Sequence, residues 1–141
     1  MTARTATLAL LLASCGGPFP HATIDVGGKT VKVEVAATPE LRARGLMNRD
    51  GLSTGHGMIF IYPDEAPRSF WMKNVPFPLD IGFADATGRL VHVTEMKPFD
   101  TSSTPSLYPA KYALEMNKGW FQKNQVKKGA QITGIPEVAP K

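Results

Sequence analysis

The chain has 141 residues and a formal net charge of +4, with its lysines and arginines scattered among acidic residues rather than gathered into a run. Charge dispersed in this way makes nucleic acid a poor candidate partner. Cys15 is the only cysteine, which excludes an intramolecular disulfide and a cysteine-rich metal site. The length suits one compact domain that buries its own core.

The N-terminal segment has the features of an export signal. Arg4 precedes an apolar run at 6–12 that is too short to span a bilayer. Leu12-Ala13-Ser14-Cys15 then places two small residues directly before a thiol, and this pattern resembles a bacterial lipobox. We therefore predict a lipoprotein signal peptide over residues 1–14 and lipidation at Cys15. An ordinary secretory signal, or a buried helix with a chance cysteine, is the alternative.

A lipoprotein signal predicts where the protein resides. We expect an exported protein, lipid-anchored in the cell envelope and facing the periplasm, with the membrane as a partner through its N-terminal lipid. Gly16 and Gly17, rather than an aspartate, follow Cys15, and resemblance to the sorting of other lipoproteins favours the outer membrane in a host with two membranes. Lipidation consumes the thiol, so no thiolate nucleophile remains. Residues 15–22 are rich in glycine, proline and small polar residues, which predicts a flexible tether.

Two local patterns open the predicted domain, residues 23–136. Apolar and polar residues alternate over 24–35 around Gly27-Gly28, which predicts a β-hairpin with one buried face. Thr38-Pro39-Glu40 then combines a capping hydroxyl, a proline suited to the first helical position and an acid near the positive end of the helix dipole. We predict a short helix from there to Gly45.

Further short strands are predicted along the chain. Asp85-Ala86-Thr87-Gly88 predicts the turn of a second hairpin, and a proline-rich and serine-rich loop occupies 98–109. Many short strands and little helix predict a mostly β domain, a compact β-sandwich or distorted barrel with one or two short helices. Residues 137–141 form a frayed tail. The other predicted elements are strands at 58–62, 69–73, 79–84, 89–96, 112–117 and 131–135, and a short helix or turn at 119–125.

Five short motifs occur in order along the predicted domain: Gly45-Leu46-Met47, Gly57-Met58-Ile59-Phe60, Ser69-Phe70-Trp71-Met72-Lys73-Asn74, Pro78-Leu79-Asp80-Ile81 and Ala113-Leu114-Glu115. Together they resemble the signature of the domain-of-unknown-function 192 family, and the Phe-Trp-Met-Lys-Asn string followed by Pro-Leu-Asp is highly specific. The similarity covers residues 30–135. It implies a compact, mostly β fold of sandwich type and no established activity, and it carries over no catalytic residue.

Strand alternation places polar residues inside the most specific motif. In an extended 69–74, Trp71 and Lys73 point to one side, and in 79–83 Asp80 lies opposite the apolar residues. If these two segments pair, Lys73 and Asp80 share a face near the turn. One interpretation is that the polar groups only fix this turn, by pairing with each other and with backbone amides.

The other interpretation is a ligand site. An aromatic side chain beside a few charged groups is a common arrangement for holding sugars and small anions. We therefore predict a non-catalytic binding or accessory module for a small polar ligand or an envelope protein. The predicted ligand-binding residues are Trp71, Lys73, Asn74, Asp80 and Glu115.

Two other functions remain open on the sequence. Asp80 and Glu115 would serve a hydrolase as paired carboxylates if they faced each other across a cleft. Methionine thioethers suit Cu(I) in an oxidising envelope, although their alternation with core residues is typical of packing. No cofactor, metal site or catalytic residue is otherwise predicted. The methionines concerned are Met47, Met58, Met72, Met96 and Met116.

Overall fold

A computed structural model of the protein describes residues 17–138. The predicted signal peptide, the predicted lipidation site Cys15 and residues 139–141 lie outside the described residues. Within 17–138 the chain forms a seven-stranded sheet curled into a half-barrel, a separate two-stranded sheet and two short helices. The predicted mostly β class is confirmed. No helix in this range is long and apolar enough to cross a membrane.

The described elements follow most of the predicted ones in order. Strand β1 begins at His21, two residues before the predicted start of the domain, and the side chain of Phe19 already packs into the core. The strands are β1 (His21–Val26), β2 (Lys29–Ala36), β3 (His56–Ala66), β4 (Ser69–Phe70), β5 (Leu79–Ala84), β6 (Leu90–Met96), β7 (Thr104–Pro105), β8 (Ala110–Asn117) and β9 (Ile132–Thr133), and the helices are α1 (Pro39–Arg44) and α2 (Trp120–Lys123).

The first hairpin is confirmed, and its turn explains its glycines. Val26 pairs with Lys29 across a two-residue connection. Gly27 and Gly28 both have positive φ, at 57° and 91°, which is the backbone of a type I′ turn and is open to glycine without steric cost. The turn is stabilised further because the Gly28 N–H donates to Asp25 Oδ2 at 2.9 Å.

Helix α1 is also confirmed, with both of its predicted ends. The Leu41 N–H donates to Thr38 Oγ1 at 3.1 Å, and Pro39 occupies the first helical turn. Gly45 ends the helix with a φ of 46°, and its N–H donates to the Leu41 carbonyl at 2.9 Å. Leu41 is the buried residue of the helix, and it fastens α1 onto the core.

The seven-stranded sheet has the order β6-β5-β8-β3-β2-β1-β9. Only β2 and β3 run parallel, and α1 lies in the chain segment that connects them. Strand β8 is central, with β3 on one side and β5 on the other. Both faces of the central strands are buried, so alternate residues of β8 enter two different core clusters: Ala113 enters one, and Leu114 and Met116 enter the other.

The predicted strand 69–73 is wrong beyond its second residue. Strand β4 pairs with β7, and β5 pairs with β6 and β8, so the expected pairing between these two segments does not form. The chain turns after Phe70: the Val75 N–H donates to the Met72 carbonyl at 3.1 Å, and Asn74 has a φ of 59°. Met72 is buried in the core and holds the turn inward. Strand alternation therefore cannot be continued from Trp71 to Asn74.

Gly57 allows β3 and β8 to approach closely, and substituting it tests the register of these two strands. A Cβ at this position would meet Met116 Sδ and would lie 2.7 Å from the Glu115 carbonyl oxygen, so Gly57→Ala should lower the free energy of unfolding by about 1–3 kcal/mol. Gly51→Ala is the control, because its Cβ meets nothing within 4 Å; its effect should stay within about 0.5 kcal/mol. Urea denaturation followed by circular dichroism measures both. Equal stabilities of the two variants would contradict this packing.

Candidate functional site

A cavity of about 240 Å³ opens between α1 with its following turn and the segment that follows β3. One wall of the cavity is the face of the sheet that carries Met58 and Phe60. Three of the five predicted ligand-binding residues line it. The residues that define its chemistry are Arg42, Tyr62, Phe70, Trp71, Lys73 and Glu115.

Trp71 and Lys73 form the exposed part of the cavity wall. The Trp71 side chain is 49% exposed. The Lys73 ammonium lies 5.3 Å from the centroid of the Trp71 ring, within the range of a cation–π contact. Both residues belong to the turn after β4. This turn places their side chains in the wall of the same cavity that Glu115 lines from the sheet.

Glu115 contributes the buried end of the cavity. It lies on β8 directly opposite Met58 of β3 and Ile81 of β5, and it is 4% exposed. Within residues 17–138 no group donates a hydrogen bond to its carboxyl and no cation pairs with it. Burial raises the pKa of the Glu115 carboxyl from 4.5 to about 8. At neutral pH this group is therefore mostly a protonated acid that can both donate and accept a hydrogen bond.

Arg42 fixes the wall between α1 and the sheet. Its Nη1 donates to the carbonyls of Ala37 and Ile61, each at 2.9 Å, and its guanidinium lies 4.7 Å from the centre of the Tyr62 ring. The Arg68 guanidinium lies 3.9 Å from the same centre. Burial raises the pKa of Tyr62, although the two nearby guanidinium groups oppose that rise. These contacts make the Arg42 side a rigid, positively charged wall.

Arg44 connects the cavity to the beginning of the described chain. It lines the cavity, its Nη2 donates to the Gly17 carbonyl, and its guanidinium lies 4.4 Å from the centre of the Phe19 ring. The segment at 17–19 is therefore held against the cavity wall. The first described residues therefore lie beside Arg44, a residue that lines the cavity.

Asn74 and Asp80 lie outside this cavity. The Asn74 carbonyl accepts from the Asn48 N–H at 2.8 Å, which stabilises the turn. Asp80 pairs in register with Met116, the neighbour of Glu115, so the two carboxyl groups point to opposite faces of the sheet. The predicted sharing of one face by Lys73 and Asp80, and the paired carboxylates predicted for a hydrolase, are therefore wrong.

Asp80 has a structural role beside α2. Its Oδ2 accepts from the Gly119 N–H at 3.0 Å, and Gly119 is the N-cap of α2 without a side chain of its own. Burial raises the pKa of the Asp80 carboxyl, and the backbone N–H groups of Gly119 and Phe121 oppose that rise. An aspartate on β5 thus replaces the side chain that an N-cap residue normally supplies.

The methionines are divided between the two core clusters. Met58, Met72 and Met96 lie in one cluster and Met116 in the other, while Met47 packs at the margin of the first. This distribution is that of flexible side chains filling a core. Among the described residues, no group of three or more histidine, cysteine, aspartate or glutamate side chains could hold a metal ion.

Arg42 and Tyr62 were not predicted as site residues. Alternation along β3 could have indicated Tyr62, because it lies two residues after Phe60 on the same face. Arg42 carried no comparable signal. Its place in the cavity depends on how α1 docks onto the sheet, and no local pattern encodes that.

Comparison with known proteins shows the class of protein. The profile of the DUF192 family, described as “Uncharacterized ACR”, matches residues 22–134, so the chain belongs to this family. No curated protein matches. A crystal structure from Sinorhizobium meliloti 1021, of a protein described as a candidate transcription regulator, is 29% identical with a TM-score of 0.78, covering 82% of this chain and 94% of that one. A protein of unknown function from Novosphingobium aromaticivorans DSM 12444 is 30% identical with a TM-score of 0.76, covering 79% and 84%.

The raised pKa of Glu115 predicts a pH dependence of stability. Between pH 4.5 and about 8 the unfolded chain has lost this proton and the folded chain retains it, so the free energy of unfolding should fall as pH rises through this window and level off above it. The fall amounts to a few kcal/mol at most, at about 1.4 kcal/mol for each unit of pKa difference.

Urea denaturation of wild type and Glu115→Gln at pH 5, 6.5 and 8 measures this contribution. As pH rises, the free energy of unfolding of the wild type should fall relative to that of Glu115→Gln. Glu65→Gln, which removes an exposed carboxyl on β3, should leave the wild-type slope unchanged. Parallel pH profiles for wild type and Glu115→Gln would refute the burial of an unpaired acid.

Proposed function

We propose that this protein is a lipid-anchored envelope protein that binds a small polar ligand, without transforming it, in the cavity beneath Trp71. The observation that carries the proposal is the Glu115 carboxyl, which faces the cavity with no hydrogen-bond partner in residues 17–138. Its oxygens are reached from the cavity, because among the described residues no fully buried side-chain oxygen or nitrogen lacks a hydrogen-bond partner. A ligand hydroxyl or amide in the cavity would supply the missing partner.

The rest of the cavity suits binding of a compact molecule. Phe70 and Tyr62 give it apolar walls, and Trp71 offers an aromatic face at the mouth. At about 240 Å³ the cavity lies just below the ~300 Å³ at which pockets for drug-sized ligands begin, so it suits a ligand about the size of one small ring.

A binding role fits the lining better than catalysis. Among the described residues that line the cavity, Glu115 is the one carboxyl and none is a histidine. Acid and base chemistry by two carboxyl groups needs a second one across the cleft, and Asp80 points to the other face of the sheet. Glu115 is therefore best understood as a hydrogen-bonding group for ligand recognition.

The position of Gly17 supports an envelope role for the cavity. Two residues of chain span at most ~7 Å, so lipid attached to Cys15 would lie within that reach of Gly17. The Gly17 carbonyl accepts from Arg44, which itself lines the cavity. In a lipid-anchored protein the Arg44 side of the cavity would therefore lie near the membrane surface, where envelope components are concentrated.

Ligand capture tests the binding proposal. The full chain carrying Cys15→Ser is incubated with bacterial envelope extract, and bound molecules are identified by native mass spectrometry. Trp71→Ala and Lys73→Ala should each reduce capture several-fold, because both side chains line the cavity. Phe99→Ala is the matched control, since Phe99 is 62% exposed and lies outside the cavity lining; it should capture as much as its parent. Equal capture by all variants would remove the proposed site.

Metabolic labelling with palmitate tests the anchor. The wild-type chain should incorporate the label, and Cys15→Ser should not, because the thiol is the acceptor of the lipid. Fractionation of the same cells reports whether the labelled protein sediments with membranes. Palmitate in the Cys15→Ser protein would refute lipidation at this residue.

A further inference from the structure

The cavity beneath Trp71 has different chemistry at its two ends. Its buried end has one carboxyl, Glu115, set among apolar side chains of the sheet. Its wall and mouth carry the cations Arg42, Arg44 and Lys73. Since Glu115 holds its proton at neutral pH, the lining as a whole is positively charged. A ligand that fits must therefore hydrogen-bond to the neutral Glu115 carboxyl at the buried end and tolerate the positive charge of the wall and mouth.

Lys73 is the one of these three cations that is exposed, and its donors remain available to a ligand. Arg42 Nη1 is held by two backbone carbonyls, and Arg44 is engaged with the Gly17 carbonyl and the Phe19 ring. In the described part of the chain the Lys73 ammonium makes no hydrogen bond or ion pair, and its one recorded contact is with the face of Trp71. Its charge can therefore pair with a ligand without breaking any contact of the protein core.

Trp71 restricts the shape of the ligand between these two ends. Its indole is half exposed beside Lys73, and the Phe70 ring lines the same cavity. Aromatic faces of this kind pack against the apolar face of a saturated ring, and ring hydroxyls then point sideways towards polar groups. A ring between Trp71 and Glu115 would present one hydroxyl to the carboxyl.

We propose that the ligand is a carboxylated sugar-like ring, with a hydroxyl bonded to the Glu115 carboxyl, a ring face against Trp71 and the carboxylate paired with Lys73. This inference rests on the proposed binding function and narrows it to one chemical class. A ring that carries an ammonium group and no carboxylate would be repelled by the positively charged lining. A neutral ring would keep the stacking and the Glu115 contact but would lose the ion pair.

Three sugars that differ chiefly in charge test the proposal on the full chain carrying Cys15→Ser: glucuronate, glucose and glucosamine. Isothermal titration calorimetry at pH 7 and low salt measures their affinities. Glucuronate should bind up to about fivefold more tightly than glucose, as expected for one exposed ion pair, and glucosamine should bind more weakly than either. The advantage of glucuronate should shrink in 0.5 M salt, where exposed charges are screened.

Substitution of Lys73 tests whether this residue causes the preference for glucuronate over glucose. Lys73→Met keeps most of the side-chain stem and should abolish the preference, so that glucuronate and glucose bind the variant with equal affinity. Lys97→Met is the matched control, since Lys97 is exposed and lies outside the cavity lining, and it should retain the preference. Both lysines are exposed, so neither substitution disturbs the core.

The outcomes separate this inference from the proposed function. Equal affinity for glucuronate and glucose, or tightest binding of glucosamine, would overturn the ligand class and leave a cavity that binds. If none of the three binds, the extract capture decides: a Trp71-dependent ligand that is an anionic hydroxylated ring supports the class, and one that is neutral, cationic or ringless overturns it. Absence of any Trp71-dependent capture would overturn both proposals.

Discussion

The position of β8 between β3 and β5 is the constraint on which the candidate site depends. Strand alternation sends Leu114 and Met116 into one core cluster and Glu115 to the other face, opposite Met58 and Ile81. A one-residue slip would exchange these faces and bury two apolar side chains where the carboxyl now lies. The register of the central strands therefore both secures the core and holds a carboxyl against the cavity.

An unpaired acid at this depth is tolerated because the surrounding sheet is well packed on both faces. A carboxyl in an apolar setting avoids the larger cost of burying a charge by keeping its proton, and the remaining cost is partial desolvation, because its oxygens still face the cavity. The core clusters on the two faces of the sheet supply the stability that offsets it. Asp80 lies one position away in the register of β5 and β8, and its carboxyl does have a partner. It accepts a hydrogen bond from the backbone N–H of Gly119, the N-cap of α2. The contrast between these two carboxyl groups is the reason for our proposal that Glu115 binds a ligand.

The elements with local signals could be predicted from the sequence, and the contacts between distant segments could not. The Gly27-Gly28 hairpin and the capped helix α1 are determined by residues that are close in sequence, and the apolar run of β5 predicts that strand. Of the predicted site residues, Trp71, Lys73 and Glu115 meet at one cavity. Asn74 and Asp80 do not join them, because the chain turns after Phe70 and β4 pairs with β7 rather than with β5. Tertiary bonds to the segment at 97–100 instead fold 71–75 into a turn, and such long-range pairing leaves no periodic trace in sequence.

The protonation state of Glu115 is the most direct test of this account. In protein labelled with ¹³C at the glutamate side-chain carboxyl, the Glu115 resonance is assigned by its loss in Glu115→Gln and followed through a pH titration. A carboxyl buried without a partner should titrate with a pKa of about 8, and its shift should change when a ligand occupies the cavity. A midpoint near 4.5, the value of an ordinary glutamate, would mean that the carboxyl is solvated or paired and would contradict the central claim.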